Sequence, residues 1–469
     1  MIVSSRRTVD RAPFSGVRGF TLIEMMIAIT LGILISLGLV LLFQATAKTN
    51  RVQDAMAALQ ENGRYAISRI DNDLRMASFQ SLNVSGFVAS APSATTSPNG
   101  VNNPVISIMS YAATIYLPDF AAAGLSAPST AAGWAAGWPA NTNWPVSQRY
   151  SIQGYECSSG TCSPALPTGT NALPAAGLAA GNRIKTGDVL TVRYLDSLGW
   201  SVNNNELAEV PTTCAGGALT SITVTPATGS PAFNFQTGDL ALLVTGSRAS
   251  IFPVTVSGSA IAPTAASVLG GTIPCFSTTS ATDITLYNFS RNFVTVTYYL
   301  RLDTDPNNGS RLIPSLVRRQ STIATQGAAG NDQAIVQGIE QMDFLAGVQR
   351  NDGTVSYLTS DLVAGQSSAT NCPPMAGLQI AAGLPAGSVE PQCLWRSLNS
   401  IEVHLLVDSI NNTGLTPADM AYQYTYGYSG TDTKQTAAAP GTTLASGLTP
   451  GNMLRREFVS LVSVRNFNP

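Results

Sequence analysis

A chain of 469 residues in which charged side chains make up only 11% and the formal net charge is −2 lacks the basic surface on which nucleic-acid binding draws. No Lys/Arg-rich run interrupts its body, so no nucleic-acid partner is expected. Gly, Ala, Ser, Thr and Pro take the place of the missing charges, which suits an exported β protein with long small-residue loops and argues against a cytosolic enzyme; length alone suggests two or three domains.

Residues 1–19 (MIVSSRRTVDRAPFSGVRG) carry Arg6, Arg7, Arg11 and Arg18 against the single acid Asp10. Residues 20–43 are apolar, and the 19 residues from 25 to 43 hold no charge, enough to span a bilayer as a helix. The flanking arginines hold the N-terminus in the cytoplasm and send the rest of the chain outward. A secretory signal would place a small-residue cleavage site after the apolar stretch, but TAKTNRVQDAMAALQ is a poor one. A Gly precedes the stretch instead, so the apolar segment is expected to stay in the mature protein. Glu24 lies five positions into this run, where an acid costs about 2.5–3.5 kcal/mol near the bilayer centre and less near an interface. A cut after Gly19 would create an α-amino group on Phe20 able to pair with Glu24 of a neighbouring subunit. The alternative is a carboxylate at the interface with no partner.

The string G-F-T-L-I-E ahead of a long apolar run resembles the N-terminal signature of type IV pilins and pseudopilins. That resemblance implies cleavage after Gly19 by prepilin peptidase, N-methylation of Phe20, and a part for Glu24 in recruiting and registering the subunit during filament assembly. The leader is longer than many in the family.

The helix is expected to run on past the membrane. No Pro occurs between positions 20 and 78, and Val52, Met56, Leu59, Ile67, Ile70 and Leu74 recur at helical spacing, with Gly63 in the gap. Asp71 and Arg75 stand at i,i+4 in the favourable acid-first order. Such a helix would be about 85–90 Å long, its outer half packing under a globular head rather than forming a free stalk. Residues 58–79, ALQENGRYAISRIDNDLRMASF, resemble the corresponding helix of PilW-like minor pilins, which in turn resemble the J-type minor pseudopilins of type II secretion.

In the head, residues 80–148 read as loop or irregular insertion, with short strands at 105–109 and 113–117. Trp134, Trp138 and Trp144 are assigned to a satellite core under these loops rather than to a partner surface. Strand signals follow at 188–195, 219–224, 240–245, 293–302, 342–348, 401–407 and 458–464. The turn DTDPNNGS should pair the 293–302 strand with 312–317, Asn351-Asp352-Gly353 marks a second turn, 332–341 is expected as a short helix, and 430–449 as a small-residue insertion. GDVLTVRYL, VTYYLR, IVQGIEQMDFLAGV, IEVHLLVDS and RREFVSLVSVRN resemble, in order, the head of PilW-like minor pilins. The fold this implies is α+β and pilin-like, a long N-terminal helix packed on an antiparallel sheet. Its segments are a leader (1–19), a membrane and filament-core helix (20–43), an amphipathic continuation (44–79) and an exported β-rich head with inserts (80–469).

Cys157, Cys162, Cys214, Cys275, Cys372 and Cys393 all follow the apolar segment, and their even number favours disulfides in an oxidising compartment. Fifteen connectivities are possible. Pairing by sequence neighbour (157–162, 214–275, 372–393) is the simplest, with a free or differently joined pair as the alternative. One His and no Cys-x-x-Cys argue against zinc. That His, His404, sits in IEVHLLV and reads as a structural or edge-facing residue rather than a catalytic base. No catalytic set and no cofactor motif stands out. Asp303, Asp305 and Asn307 have the spacing of calcium ligands. However, Gly309 falls past the sixth loop position and Pro314 stands where an EF-hand has its Glu, so a plain turn accounts for them.

The resemblance implies a minor pilin that acts with other minor pilins and the major pilin on an inner-membrane assembly platform and supports initiation of assembly near the tip, with a tip adhesin as a candidate partner. The expected course is a single inner-membrane pass with the head in the periplasm, then a pilus on the cell surface. A type II secretion pseudopilin is the runner-up, and a membrane-tethered enzyme or a DNA-capture subunit ranks below it. Removal of the leader takes four arginines and one aspartate and leaves a net charge of −5, which disfavours DNA.

Overall fold

The computed structural model describes residues 19–77, 106–108, 152–167, 172–201, 207–209, 219–245, 248–263, 284–306, 308–325, 331–350, 353–365, 394–395, 398–413, 422–425, 428–429, 433–434, 437–438 and 453–464. Helix α1, Leu22–Met76, is uninterrupted, as a stretch without Pro allows. Compact packing divides the chain into residues 1–54 and 55–469. In the first unit every described residue up to Arg51 is exposed, and α1, which begins there, is among the described residues the one helix long and apolar enough to cross a membrane.

In the second unit α1 buries Ala55, Leu59, Gly63, Ala66, Ile70, Asp73 and Leu74. This stripe has the helical period the sequence announces but is turned by about one residue. Met56 is exposed and Ile67 only half-buried, while Ala55, Ala66 and Gly63 face the sheets. Small residues there let strands approach closely. A Cβ on Gly63 would lie 2.6 Å from Cδ2 of Phe458.

Two antiparallel sheets receive the helix. Strands β1 (Ile152–Ser158), β2 (Thr161–Ser163), β3 (Val189–Leu195), β4 (Phe293–Asp305), β5 (Asn308–Thr322) and β6 (Asp332–Gln337) form the first, in the order β6-β5-β4-β3-β1-β2. Strands β7 (Ile339–Gln349), β8 (Val355–Leu358), β9 (Leu398–Asp408) and β10 (Arg455–Ser463) form the second, in the order β8-β7-β9-β10. One core runs through helix and both sheets, including Leu59, Ile70, Leu74, Val192, Val296, Tyr298, Met342, Val403 and Val462.

The β4–β5 hairpin forms as the turn signal implies, with Leu302 opposite Pro314. The expected helix over 332–341 is a correction: these residues are β6 and the start of β7. Ile335, Val336, Ile339 and Met342 mimic helical spacing, but ladders to β5 and β9 satisfy the backbone on both sides. Gly338, at φ +84°, turns the chain from one sheet into the other. Its N–H donates to the Pro314 carbonyl at 2.7 Å, and its carbonyl accepts from Asp408 N at 2.7 Å.

Between β3 and β4 the chain builds most of a further eight-stranded sheet, in which Ile106–Ile108 pairs in parallel with Arg248–Ser257. This sheet has its own core around Trp200, Phe235, Phe252 and Leu286. Of the two short strands expected near 105–117, the first is present and the second lies outside the described residues. So do Trp134, Trp138 and Trp144, all of the leader except Gly19, and most of 430–449.

Candidate functional site

At the N-terminal end, Thr21 is the residue before the first turn of α1. Its Oγ1 accepts from Glu24 N at 3.3 Å, while the Glu24 carboxylate accepts from Thr21 N at 3.0 Å and Thr21 Oγ1 at 2.9 Å. This is a reciprocal capping box, and it satisfies donors the first helical turn would otherwise leave bare. The S/T-x-x-E spacing is visible in T-L-I-E, though neither expected setting of Glu24 gave it a partner within its own chain. A carboxylate there also complements the positive end of the helix dipole. Beyond it, Phe20 is 89% exposed and Phe43 69%, with the apolar side chains between them uncovered on every face. A stretch apolar all round calls for lipid or neighbouring helices as its surroundings.

In the second unit α1 is seated by a buried charge. The Asp73 carboxylate accepts from Arg318 Nε at 2.7 Å and Nη2 at 3.1 Å, from Tyr194 Oη at 2.9 Å, and from Tyr298 Oη. Burial alone would raise the Asp73 pKa. The hydrogen bonds of Arg318 and Tyr298, the Arg318 charge and the Tyr194 bond outweigh that and hold it below the ordinary aspartate value. The same cluster pushes both tyrosines up, burial first. Asp71, noted in the sequence for its spacing to Arg75, feels that charge and also accepts from Ser460 Oγ of β10 at 3.1 Å.

Cys157 and Cys162 form a disulfide across the β1–β2 hairpin, as neighbour pairing expects. Cys214, Cys275, Cys372 and Cys393 lie outside the described residues. The Cys157 N–H donates to Asp188 Oδ1 at 2.8 Å. Asp188 and the nearby Asp343 are both buried in the head. Asp343 accepts from Gln341 Nε2 at 3.0 Å and is bonded to the Tyr424 hydroxyl. Burial first, then Asp343 and Glu156, push Asp188 well above the usual carboxylate range. Burial pushes Asp343 up to about 8, helped by Glu156 and Glu457 against the bonds from Tyr424 and Gln341.

These two acids keep protons in the fold that the unfolded chain gives up near pH 4, so stability falls as pH rises from about 4 toward 8. The neutral isostere should remove part of that slope. In Asp343→Asn the amide nitrogen donates to Tyr424 Oη and the carbonyl accepts from Gln341. Urea midpoints at pH 5, 6.5 and 8 should decline less steeply in this variant than in the wild type, and an unchanged slope would contradict the assignment.

His404 is fully buried on β9, inside the sheet rather than at its edge. Its Nδ1 meets Glu457 Oε1 at 2.7 Å and its Nε2 meets Glu402 Oε1 at 2.9 Å. Of the calcium candidates, Asp303 is paired with Arg301 at 2.7 Å and Asp305 with Arg311 at 3.5 Å, while Asn307 lies outside the described residues. Both described carboxylates are thus engaged by cations of their own chain.

A family model described as type IV pilus-assembly protein W, PilW, matches residues 297–466, from β4 through β10. The prokaryotic N-terminal methylation motif matches residues 15–40. No curated protein and no solved structure matches the chain. A methylation motif on an exposed apolar helix, followed by an antiparallel β-rich head, defines a type IV pilin-like protein. Within that class the chain resembles the PilW minor pilins over residues 297–466 of its head. Such proteins are structural; the motif implies processing by prepilin peptidase and interaction with other pilus components.

Proposed function

We propose that this minor pilin is cut between Gly19 and Phe20, methylated on Phe20, and drawn from the inner membrane into a type IV pilus by its first helix. There it supports initiation of assembly together with other minor pilins, the major pilin and the assembly platform, in a tip complex that serves adhesion and twitching. Before assembly the head faces the periplasm. The observation that carries this reading is the bare apolar stretch of α1 with one acid fixed in its first turn, at the end where processing would free an amine. An anchor needs no such acid, whereas a subunit that must find a partner inside the bilayer gains from one.

The test separates charge from capping. Glu24→Gln keeps a capping-box side chain but removes the negative charge. With the chain expressed at native level, the wild type is expected in sheared surface filaments. Glu24→Gln should be processed normally and reach the filaments at less than about a tenth of the wild-type amount, since an unmet amine in hydrocarbon costs more than 1.4 kcal/mol. Equal incorporation would overturn the assigned role of Glu24. Deletion of the gene should reduce piliation and leave protein secretion intact; the reverse pattern would favour the type II secretion reading.

A further inference from the structure

Among the described residues, strand β10 is the outermost strand of its sheet. Its charges, Arg455, Arg456 and Glu457, stand at its start, and from Phe458 to Ser463 neither a charge nor a Pro guards the edge. Its side chains divide cleanly. Phe458 covers Gly63, Ser460 bonds Asp71 and Val462 enters the core, so this set faces α1. The alternate residues Val459 and Leu461 point away from the helix and are 47% and 57% exposed. Beside the edge lies a groove of about 400 Å³ between one stripe of α1, which includes Arg64, Asp71 and Arg75, and Phe458 and Val459 of β10. Arg64 and Arg75 are exposed at its two ends. Asp71, the acid on that stripe, accepts from Ser460 and also feels the charge of Arg75, so one carboxylate stands there against two arginines.

We propose that this groove and edge receive an extended acidic segment of a neighbouring filament subunit, added to β10 as a further strand. A strand laid there takes its backbone hydrogen bonds from β10 and turns alternate side chains to opposite sides. Those on one side meet Val459 and Leu461 and are apolar. Those on the other meet α1, where Arg64 and Arg75 call for carboxylates. The two arginines are eleven residues apart, about 16 Å along the helix, which a strand covers in about five residues. Carboxylates on one face have even spacing, so the segment carries them four or six residues apart. The proposal rests on the reading of the chain as a filament subunit.

The test uses the full-length chain in piliated cells, with a photo-crosslinking phenylalanine analogue at Leu461. Peptide mapping of the adduct should locate it in an extended segment of another filament subunit with this alternation and carboxylate spacing. Arg64→Glu with Arg75→Glu should lower the yield more than tenfold, because like charges across an interface cost several kcal/mol. The double Lys variant should keep it. An adduct with lipid, with the helix of a second copy or with a partner lacking the acidic pattern, or a yield that charge reversal leaves unchanged, overturns the proposal. Filaments are assayed in the same cells. Absence of the chain from them contradicts the filament reading, whereas absence of the adduct from filaments that contain the chain contradicts this inference alone.

Discussion

Asp73→Ala should cost about 3–5 kcal/mol of stability, because it leaves the Arg318 guanidinium buried without its counter-charge and two tyrosine hydroxyls without their acceptor. Asp73 is only 4% exposed and Arg318 5%, so water offers little compensation. The cluster joins α1 to β3, β4 and β5 at one point, and losing it loosens the helix from the sheet that receives it. Removing both charges at once should hurt less than removing one. Asp73→Leu with Arg318→Met replaces an ion pair by apolar packing, which in buried settings is often neutral. With the single variants Asp73→Leu and Arg318→Met it closes a double-mutant cycle with a coupling energy of about 1 kcal/mol or more, read from urea unfolding of the full-length chain in detergent. Near-additive losses, or an Asp73→Ala loss under about 1 kcal/mol, would show that the cluster does not hold the helix in place. The pH dependence has the opposite sign to that of Asp343. The lowered Asp73 contributes stability above the unfolded value near 4, and that contribution is lost as pH falls through the folded value. Asp73→Asn should therefore flatten the acid limb of the stability curve.

How much of this molecule is legible in its sequence depends on the range of the interactions concerned. The methylation motif, the long helix and the β4–β5 hairpin are local patterns, set by neighbours within a few residues, and each was legible. Strands with an alternating pattern in the sequence, such as β3 and β4, were legible as well. The Asp73 cluster was not, since its partners are 121 to 245 residues away in the chain. Nothing in IDNDLRM marks which of its two aspartates turns inward. The eight-stranded sheet was missed in large part because its strands are short or broken by residues that read as turns. Pro253 lies inside Arg248–Ser257, a position that argues against a strand. The structure places it where the strand leaves its ladder with Leu240–Thr245 and takes up that with Ala260–Pro263, so the missing N–H falls at a change of partner. The false helix at 332–341 has the same origin: an apolar spacing that fits both periods, decided by strands on either side and by one glycine at positive φ.

The second large effect concerns the N-terminus itself, on which the reading of this chain as a prepilin stands. Thr21 and Glu24 close the first turn of the helix on themselves, and the described chain ahead of that turn, Gly19 and Phe20, lies outside the helix and is exposed. A peptidase therefore reaches the Gly19–Phe20 bond without unwinding the helix. Gly19 has nothing within 4 Å of a Cβ position, so a larger residue there would leave the fold intact. Gly19→Trp should then retain the leader while the head keeps its wild-type unfolding midpoint and its Cys157–Cys162 bridge. The direct measurement is the N-terminus of the protein by mass spectrometry, in cells with and without an active prepilin peptidase. A methylated Phe20 that depends on the peptidase is the predicted result. An intact leader in both strains, or a cut beyond the apolar stretch near Ala47, would contradict the account.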